Sequence, residues 1–429
     1  MDGRDWKRKR RAVDFQRKKH VKFFERTLDG VPGSFGAQET NLITIVYFCV
    51  GGLDLLEASD ALKKRKEQII SFVYSLQDKS PLTGLARGFF GNLSDTSLNE
   101  ASNVAAGGFR VGPSIATTFA ALNVLLTLGD DLAGVDRSGI AQFLKSLQSP
   151  DGSFHVVFPL LSSNPSSQPD DHSEADMRFV FCACAISFTI GDWSGVDIPR
   201  TLDFIWRSRT YEGGFAQCPG AECHGGSTYC AVASLKLISS FLQQQPLALP
   251  SKRGANHILL DLFETQNQRE ACSGGGLRDA LIRWCVFRQG GGFAGRANKP
   301  EDSCYSFWVG ATLKLLNAYE FVDEDCLEDF CMSTQDAVIG GFAKWPSTRS
   351  DPLHTYLCLG GLSLTARHQP RSALEEMLGF DSALPTTECD GPEKMSPSDP
   401  FVLKPVNPAV NISTTAATHL LALLRHRAP

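Results

Sequence analysis

The 429 residues contain no Cys-x-x-Cys pair, so the paired-thiol spacing of common structural zinc folds is absent. The longest apolar run, residues 42–53, is too short to span a bilayer. The basic stretch Lys7-Arg8-Lys9-Arg10-Arg11 has no apolar core behind it, and a secretory signal is not expected. A net charge of -5 argues against a nucleic-acid binder. Strand-like alternation is missing over any useful length, which excludes a sheet-based fold. What remains is 42% hydrophobic and 21% charged, the balance of a globular chain with an ample core. The thirteen cysteines sit mostly in apolar stretches such as Phe181-Cys182-Ala183-Cys184; they read as reduced core thiols of a cytoplasmic protein. The sequons at Asn92 and Asn411 then carry no weight. The basic head reads as a solvated helical face, with nuclear import or contact with acidic lipid as the alternatives.

Repetition is the strongest signal present. Gly-Gly-Phe recurs at 107–109, 213–215, 291–293 and 340–342, with Asp151-Gly152-Ser153-Phe154 as a variant. An amphipathic segment ending near Gln, Arg or Ser comes before each copy, for example 143–148 and 204–209. A helix rich in small residues follows: 117–128, 178–190, 227–237, 304–316 and 354–366. Intervals of about 45 to 80 residues hold two helices and a loop. Alternating amphipathic and small-residue helices predict two concentric layers, the second lining a cavity, with the glycines as stop signals. The fold class is therefore all-α, an α/α barrel of repeated helix pairs closed on itself. Its expected division is a basic head over 1–19, the barrel over 20–382, a flexible insertion over 383–405, and a segment over 406–429 that closes the barrel. The Ser-, Pro- and Asp-rich stretch 162–173 reads as a surface loop.

One thirteen-residue stretch, 296–308, concentrates chemistry. It holds Arg296 and Lys299, Asp302 and Cys304, and the rings of Tyr305, Phe307 and Trp308. Cations suit a phosphate, an acid and a thiol make half a metal site, and rings suit a greasy or cationic ligand. A metal holding a thiolate beside a lipid diphosphate would use them all. Asp-x-Cys alone is weak. The best third ligand is His354, which follows Pro352 and so stands near a helix N-terminus. By itself His354 reads first as an ordinary buried or capping histidine, ahead of a ligand. Its place at the matching loop-to-helix junction of a second repeat favours the metal. One Asp, one Cys and one His leave a fourth position free, the open arrangement of a catalytic zinc.

With these residues in view, nearly the whole chain resembles the protein prenyltransferase β-subunit family, and within it the type I geranylgeranyltransferases. The resemblance rests on His20-Val21-Lys22-Phe23-Phe24, Glu39-Thr40, Leu128-Gly129-Asp130-Asp131-Leu132, Asp176-Met177-Arg178-Phe179-Val180, His224-Gly225-Gly226-Ser227-Thr228, Asn298-Lys299-Pro300, 304–316, 340–346 and Asn407-Pro408-Ala409-Val410-Asn411. It implies a zinc enzyme, one ion per β subunit, with Asp302, Cys304 and His354 as ligands and the substrate cysteine in the open position. It further implies that geranylgeranyl diphosphate is the donor, and that the acceptors are proteins ending in Cys-a-a-X, X mostly Leu, such as Rho-class small GTPases. The working unit would be a heterodimer with a prenyltransferase α subunit, neither integral to a membrane nor bound to nucleic acid. His224, Arg296, Lys299 and Tyr305 match diphosphate-binding positions, although two surface charges and a packing ring are their bland readings. Lys344 stands where farnesyltransferases carry an acid that helps bind magnesium, which implies that magnesium is not required. Thr44 and Leu357 replace large aromatics of farnesyltransferases and leave room for one more isoprene unit; Leu357 departs from the phenylalanine expected in animal type I enzymes. Arg178, Phe181, Gly225, Gly226, Ala297, Asn298, Ser306, Phe307 and Trp308 would share the isoprenoid tube, with plain core packing an equal reading for Phe181. Thr44, Ala116 and Phe179 match positions that read X, and Ser114 replaces an expected histidine there. The rivals are a farnesyltransferase β subunit, opposed by Lys344, Thr44 and Leu357, and a non-catalytic zinc-binding toroid scaffold. A terpene cyclase lacks support, because Asp130-Asp131 reads as a helix-end turn.

Overall fold

Thirteen α-helices occur among the described residues of the computed structural model, which are 14–30, 41–78, 88–92, 112–157, 174–244, 259, 262, 276–365 and 401–426. They are α1 (Arg17–Asp29), α2 (Leu42–Leu55), α3 (Ser59–Ser75), α4 (Ile115–Thr127), α5 (Arg137–Leu147), α6 (Met177–Ile190), α7 (Ile198–Arg207), α8 (Gly225–Gln243), α9 (Leu277–Val286), α10 (Tyr305–Leu315), α11 (Glu324–Ser333), α12 (Pro352–Leu362) and α13 (Thr414–Arg425). A two-residue hairpin, β1 (Val406–Asn407) with β2 (Ile412–Ser413), precedes the last helix. The basic motif at 7–11, the Gly-Gly-Phe copy at 107–109, the loop 162–173 and most of the insertion 383–405 lie outside the described residues.

Six helices are apolar almost all round and therefore need burial on all sides. They find it in each other. Packing runs α2 to α4, α6, α8, α10, α12 and back to α2, a closed inner ring. α3, α5, α7, α9 and α11 each pack on the helix that follows them, and α1 packs on α2. The expected α/α barrel is thus present. Repeat spacing identifies five inner helices; α2, legible only as an apolar run, is the sixth. Where α10 meets α12, a Cβ on Gly361 would sit 2.5 Å from a backbone atom of Ser306, so this close approach requires glycine.

Each repeat closes its joint in the same way. A residue one to three positions past each outer helix pairs with a phenylalanine that follows a glycine or Gly-Ser: Gln77 with Phe89 after Gly88, Gln148 with Phe154, Arg209 with Phe215, Gln289 with Phe293, Gln335 with Phe342. All five phenylalanines are fully buried. In three repeats a threonine in the fourth position of the inner helix accepts the phenylalanine N–H: Thr118 at 3.0 Å, Thr228 at 3.0 Å and Thr355 at 2.9 Å. The glutamines then reach sideways. Gln77, Gln148 and Gln289 accept the backbone N–H of Asp136, Asp197 and Asp323 at 2.8–3.0 Å, the N-caps of α5, α7 and α11. Gln335 does the same for Gln16, the N-cap of α1, at 2.9 Å. The last repeat is therefore clasped to the first.

His20 completes that seam. Its Nδ1 accepts the Gly341 N–H at 2.8 Å, so Nε2 donates to Gln335 Oε1 at 2.9 Å. The ring stacks on Phe342 with centroids 4.7 Å apart. Gly340, at φ +83°, lies where a Cβ would strike the Lys19 carbonyl. The hairpin and α13 cover α2 and α4, and Tyr47 and Tyr356 both donate to the Asn411 carbonyl at 2.5 and 2.7 Å. No described helix is long and apolar enough to cross a membrane.

Burial lowers the His20 pKa from 6.5 to about 4. The folded chain then binds fewer protons than the unfolded one between those values, so the stability His20 contributes is complete above pH 6.5 and is lost as pH falls toward 4. Urea midpoints measured at pH 7.5 and pH 5 are expected to fall less for His20→Asn than for the wild type. At neutral pH Gln335→Ala strands the buried His20 Nε2–H and the half-buried Gln16 N–H and is expected to cost about 1–3 kcal/mol.

Candidate functional site

Inner-helix N-termini gather at one rim. Backbone N–H groups run around it from each repeat to the next: Ile43 to Gly91, Ile115 to Val156, Met177 to Gln217, Gly225 to Gly295, Ser303 to Lys344, at 2.8–3.1 Å. Adjacent inner helices therefore start at the same level, and their unpaired N–H groups and dipoles make that rim electropositive.

The cluster predicted from two repeats forms here. Cys304 precedes α10, held by its N–H donating to Asp302 Oδ1 at 3.0 Å. His354 is the third residue of α12, whose N-cap Asp351 accepts its backbone N–H at 2.9 Å. Ligand atoms of Asp302, Cys304 and His354 all lie within 4.8 Å of one another. Asp351 Oδ2 also sits 2.6 Å from His354 Nδ1, which leaves Nε2 facing Asp302 Oδ1 at 3.4 Å. A carboxylate behind a ligating imidazole fixes its tautomer and orientation. Sequence reasoning missed Asp351 in this role; its place three residues before the histidine was the available signal.

Protonation shows what this cluster attracts. Burial pulls His354 toward neutrality, but its bonds to Asp302 and Asp351 outweigh burial and raise its pKa to about 9. Burial lifts Asp302, and hydrogen bonds from His354 and Cys304 still hold it below the usual carboxylate value. Burial, then the Asp302 charge, push the Cys304 thiol far up. The group thus holds protons tightly on sulfur and imidazole, and a divalent cation would displace them. Its S, N and O donors suit zinc.

Beside it stands the set expected to bind diphosphate. His224 caps α8 through Nδ1, which accepts the Gly226 N–H at 3.0 Å. Nε2 therefore carries the proton and meets Tyr305 Oη at 3.0 Å, so the phenolic hydrogen is left to point at a ligand. Burial and then Arg296 keep His224 below its ordinary pKa. Arg296 pairs with Glu222 at 2.9 Å. Ala297, Asn298 (φ +57°) and Lys299 form the turn after it, with Asn298 and Lys299 exposed. Lys344 Nζ lies 3.6 Å from Asp302 Oδ2.

One turn deeper, the inner helices carry a belt of rings. Tyr47, Phe119, Phe181, Tyr229, Phe307 with Trp308, and Tyr356 come from α2, α4, α6, α8, α10 and α12. Centroids are 5.7 Å from Tyr47 to Phe119, 5.5 Å to Phe181, 5.3 Å to Tyr229 and 5.2 Å to Phe307. Tyr356 rejoins Tyr47 at 5.3 Å. Phe181, Phe307 and Trp308 were expected in a lipid tube; Tyr47, Phe119, Tyr229 and Tyr356 were not. For Phe119, Tyr229 and Tyr356 the signal was the dipeptide Thr118-Phe119, Thr228-Tyr229, Thr355-Tyr356 at one register; Tyr47 follows Val46 and lacked it. Leu357 and Ser306 are buried between α10 and α12, where the Ser306 hydroxyl donates to the Ser303 carbonyl. Gly225 and Gly226 open α8. Arg178, half exposed, is engaged by Asp176 Oδ2 at 2.7 Å and Glu174 at 2.9 Å. Thr44, Ala116 and Phe179 occupy the first turns of α2, α4 and α6. Ser114 is spent on a capping box with Thr117.

The class of protein follows: residues 15–412 match the family described as prenyltransferase alpha-alpha toroid domain, and the chain belongs to it. Within that family, it is 34% identical over 359 residues to geranylgeranyl transferase type-1 subunit beta of Dictyostelium discoideum, covering 80% of this chain and 89% of that one. The Arabidopsis thaliana protein of the same name is 32% identical, over 82% of this chain and 86% of its own length. The fold matches Candida albicans protein geranylgeranyltransferase-I complexed with GGPP with a TM-score of 0.69 at 24% identity, covering 96% and 99% of the two chains. The resemblance read from the motifs and these relatives agree.

Tyr229 is fully buried and its hydroxyl has no partner among the described residues. Tyr229→Phe removes an unpaired polar group and is expected to leave the melting temperature unchanged or raise it. A loss above about 1 kcal/mol would show that the hydroxyl is bonded after all.

Proposed function

We propose that the chain is the β subunit of a zinc-dependent type I protein geranylgeranyltransferase. It joins the C20 isoprenoid of geranylgeranyl diphosphate to the cysteine thiol of proteins ending in Cys-a-a-X, X mostly leucine. The observation that carries this reading is that the Asp302, Cys304 and His354 cluster shares one rim with His224, Tyr305 and Lys344. The aromatic belt lies one turn below. The named relatives support the C20 donor.

Asp302, Cys304 and His354 would hold zinc and leave a position for the substrate sulfur. When bound, the ion supplies the positive charge that keeps a thiol ionised at neutral pH. The S–C1 bond forms as the C1–O bond breaks, the thiol proton passes to solvent, and diphosphate leaves. Tyr305 donates its phenolic hydrogen to the departing oxygens, held in that orientation by the Nε2–H of His224. Arg296, Lys299 and Lys344 add positive charge where negative charge develops. Lys344 stands in for a magnesium ion. The belt holds the isoprenoid and keeps water from a carbon with cationic character, while Thr44 and Leu357 leave length for the fourth isoprene. Thr44, Ser114, Ala116 and Phe179 read X. Residues 20–382 are the barrel domain, 383–405 an insertion, and 406–429 the segment that closes the barrel. The partner is a prenyltransferase α subunit, the acceptors are proteins such as Rho-class GTPases, and the place of action is the cytoplasm.

The test uses the chain co-expressed with an α subunit. Transfer from C15 and C20 diphosphates to a Cys-a-a-Leu peptide is timed with zinc present and magnesium chelated. C20 is expected to be preferred, and Asp302→Ala or Cys304→Ala to abolish transfer. A C15 preference or a magnesium requirement points to a farnesyltransferase; tight C20 diphosphate binding without transfer points to a scaffold. Asp351→Ala is expected to weaken zinc binding by about 10–100-fold in chelator competition.

A further inference from the structure

Lys344 makes no side-chain hydrogen bond among the described residues and is held only by two longer-range attractions. Its side chain is 44% exposed and its stem is flexible. Two attractions act on its ammonium. Asp302 Oδ2 lies 3.6 Å away, beyond hydrogen-bond range. The Trp345 ring centroid lies 4.5 Å away, well inside the distance at which an aromatic face attracts a cation. The ammonium is therefore held between a carboxylate at ion-pair distance that it does not hydrogen-bond and the face of a ring.

Trp345 is built to stay where it is. Its carbonyl accepts the Thr348 hydroxyl at 2.8 Å, and its N–H points to the same oxygen at 3.4 Å. Ser347 closes this turn at φ +63°, and Pro346 restricts Trp345 to extended backbone. On the other side, the Lys344 carbonyl accepts the Ser303 N–H at 3.1 Å, directly beside Asp302. Despite 39% exposure, the indole stacks on no other aromatic ring among the described residues. Nothing in the packing of the core asks for a tryptophan here.

We infer that Trp345 is a positioning residue for Lys344: its ring face keeps the ammonium from closing onto Asp302 and leaves it facing the departing diphosphate. This rests on the functional reading above. Without the ring, Lys344 closes from ion-pair distance to a direct hydrogen bond with Asp302, and the charge is withdrawn from the anion.

The experiment measures kcat and KM for C20 diphosphate in the co-expressed complex. It compares the wild type, Trp345→Phe, Trp345→Leu, Lys344→Ala, and the last two combined. Trp345→Leu keeps apolar bulk but removes the aromatic face, and is expected to lower kcat/KM about fivefold. Trp345→Phe is expected to stay within about twofold of the wild type. In the Lys344→Ala background, Trp345→Leu should have no further effect, the non-additivity of a residue acting through another. Wild-type rates in Trp345→Leu would overturn the inference. So would a phenylalanine as damaging as leucine, or an undiminished leucine effect without Lys344, which would mark a structural role. A wild-type complex that transfers nothing removes the functional reading first and this inference with it.

Discussion

Six helices that are apolar almost all round need an apolar neighbour on both flanks as well as an outer helix behind, and that constraint shapes everything else in the molecule. A row of them would leave two greasy ends; a ring leaves none. Closure therefore matters more than any single contact. It is achieved where α12 meets α2 and where Gln335 receives the N–H of Gln16. The clasp between last and first repeat uses the same glutamine as three internal joints. His20 belongs to this repeat logic too, since it fills the seam with a neutral ring bonded at both nitrogens.

A ring whose inner helices start at a common level has a chemically polarised end. Inner-helix N-termini meet there, and their free N–H groups favour anions. The loops that start these helices carry the reactive side chains, each on a rigid support. His224 caps one helix, Cys304 precedes another, and His354 lies in the first turn of a third. Two hydrogen-bonded pairs set the orientation of the rest. Asp351 turns His354 toward Asp302, and His224 turns Tyr305 outward. The rim can then accept a metal and an anion side by side, above a wall of rings.

Much of this was legible because repetition is legible. Gly-Gly-Phe copies announced the helix pairs, and matching junctions before α10 and α12 joined His354 to Asp302 and Cys304 across about fifty residues of sequence. The failures have physical causes. α2 has no Gly-Gly-Phe copy ahead of it, only Gly33-Ser34-Phe35, so it read as an isolated apolar run. The glutamine clasps are contacts between repeats, and periodicity within a repeat carries no trace of a partner. Four belt rings looked like ordinary core residues until the ring placed them at one height. Asp351 was overlooked because an acid at an N-cap already has a sufficient local reason to be there. Its second bond, to the imidazole, depends on a rotamer that spacing does not disclose.

The proposed metal site has three protein ligands and leaves its fourth position to the substrate thiol. X-ray absorption at the zinc edge, on the complex with an α subunit, tests it directly by counting sulfur ligands. The account predicts stoichiometric zinc with one sulfur, that of Cys304, rising to two when a Cys-a-a-Leu peptide is added. A complex without zinc, or a sulfur count that the peptide leaves unchanged, would contradict it.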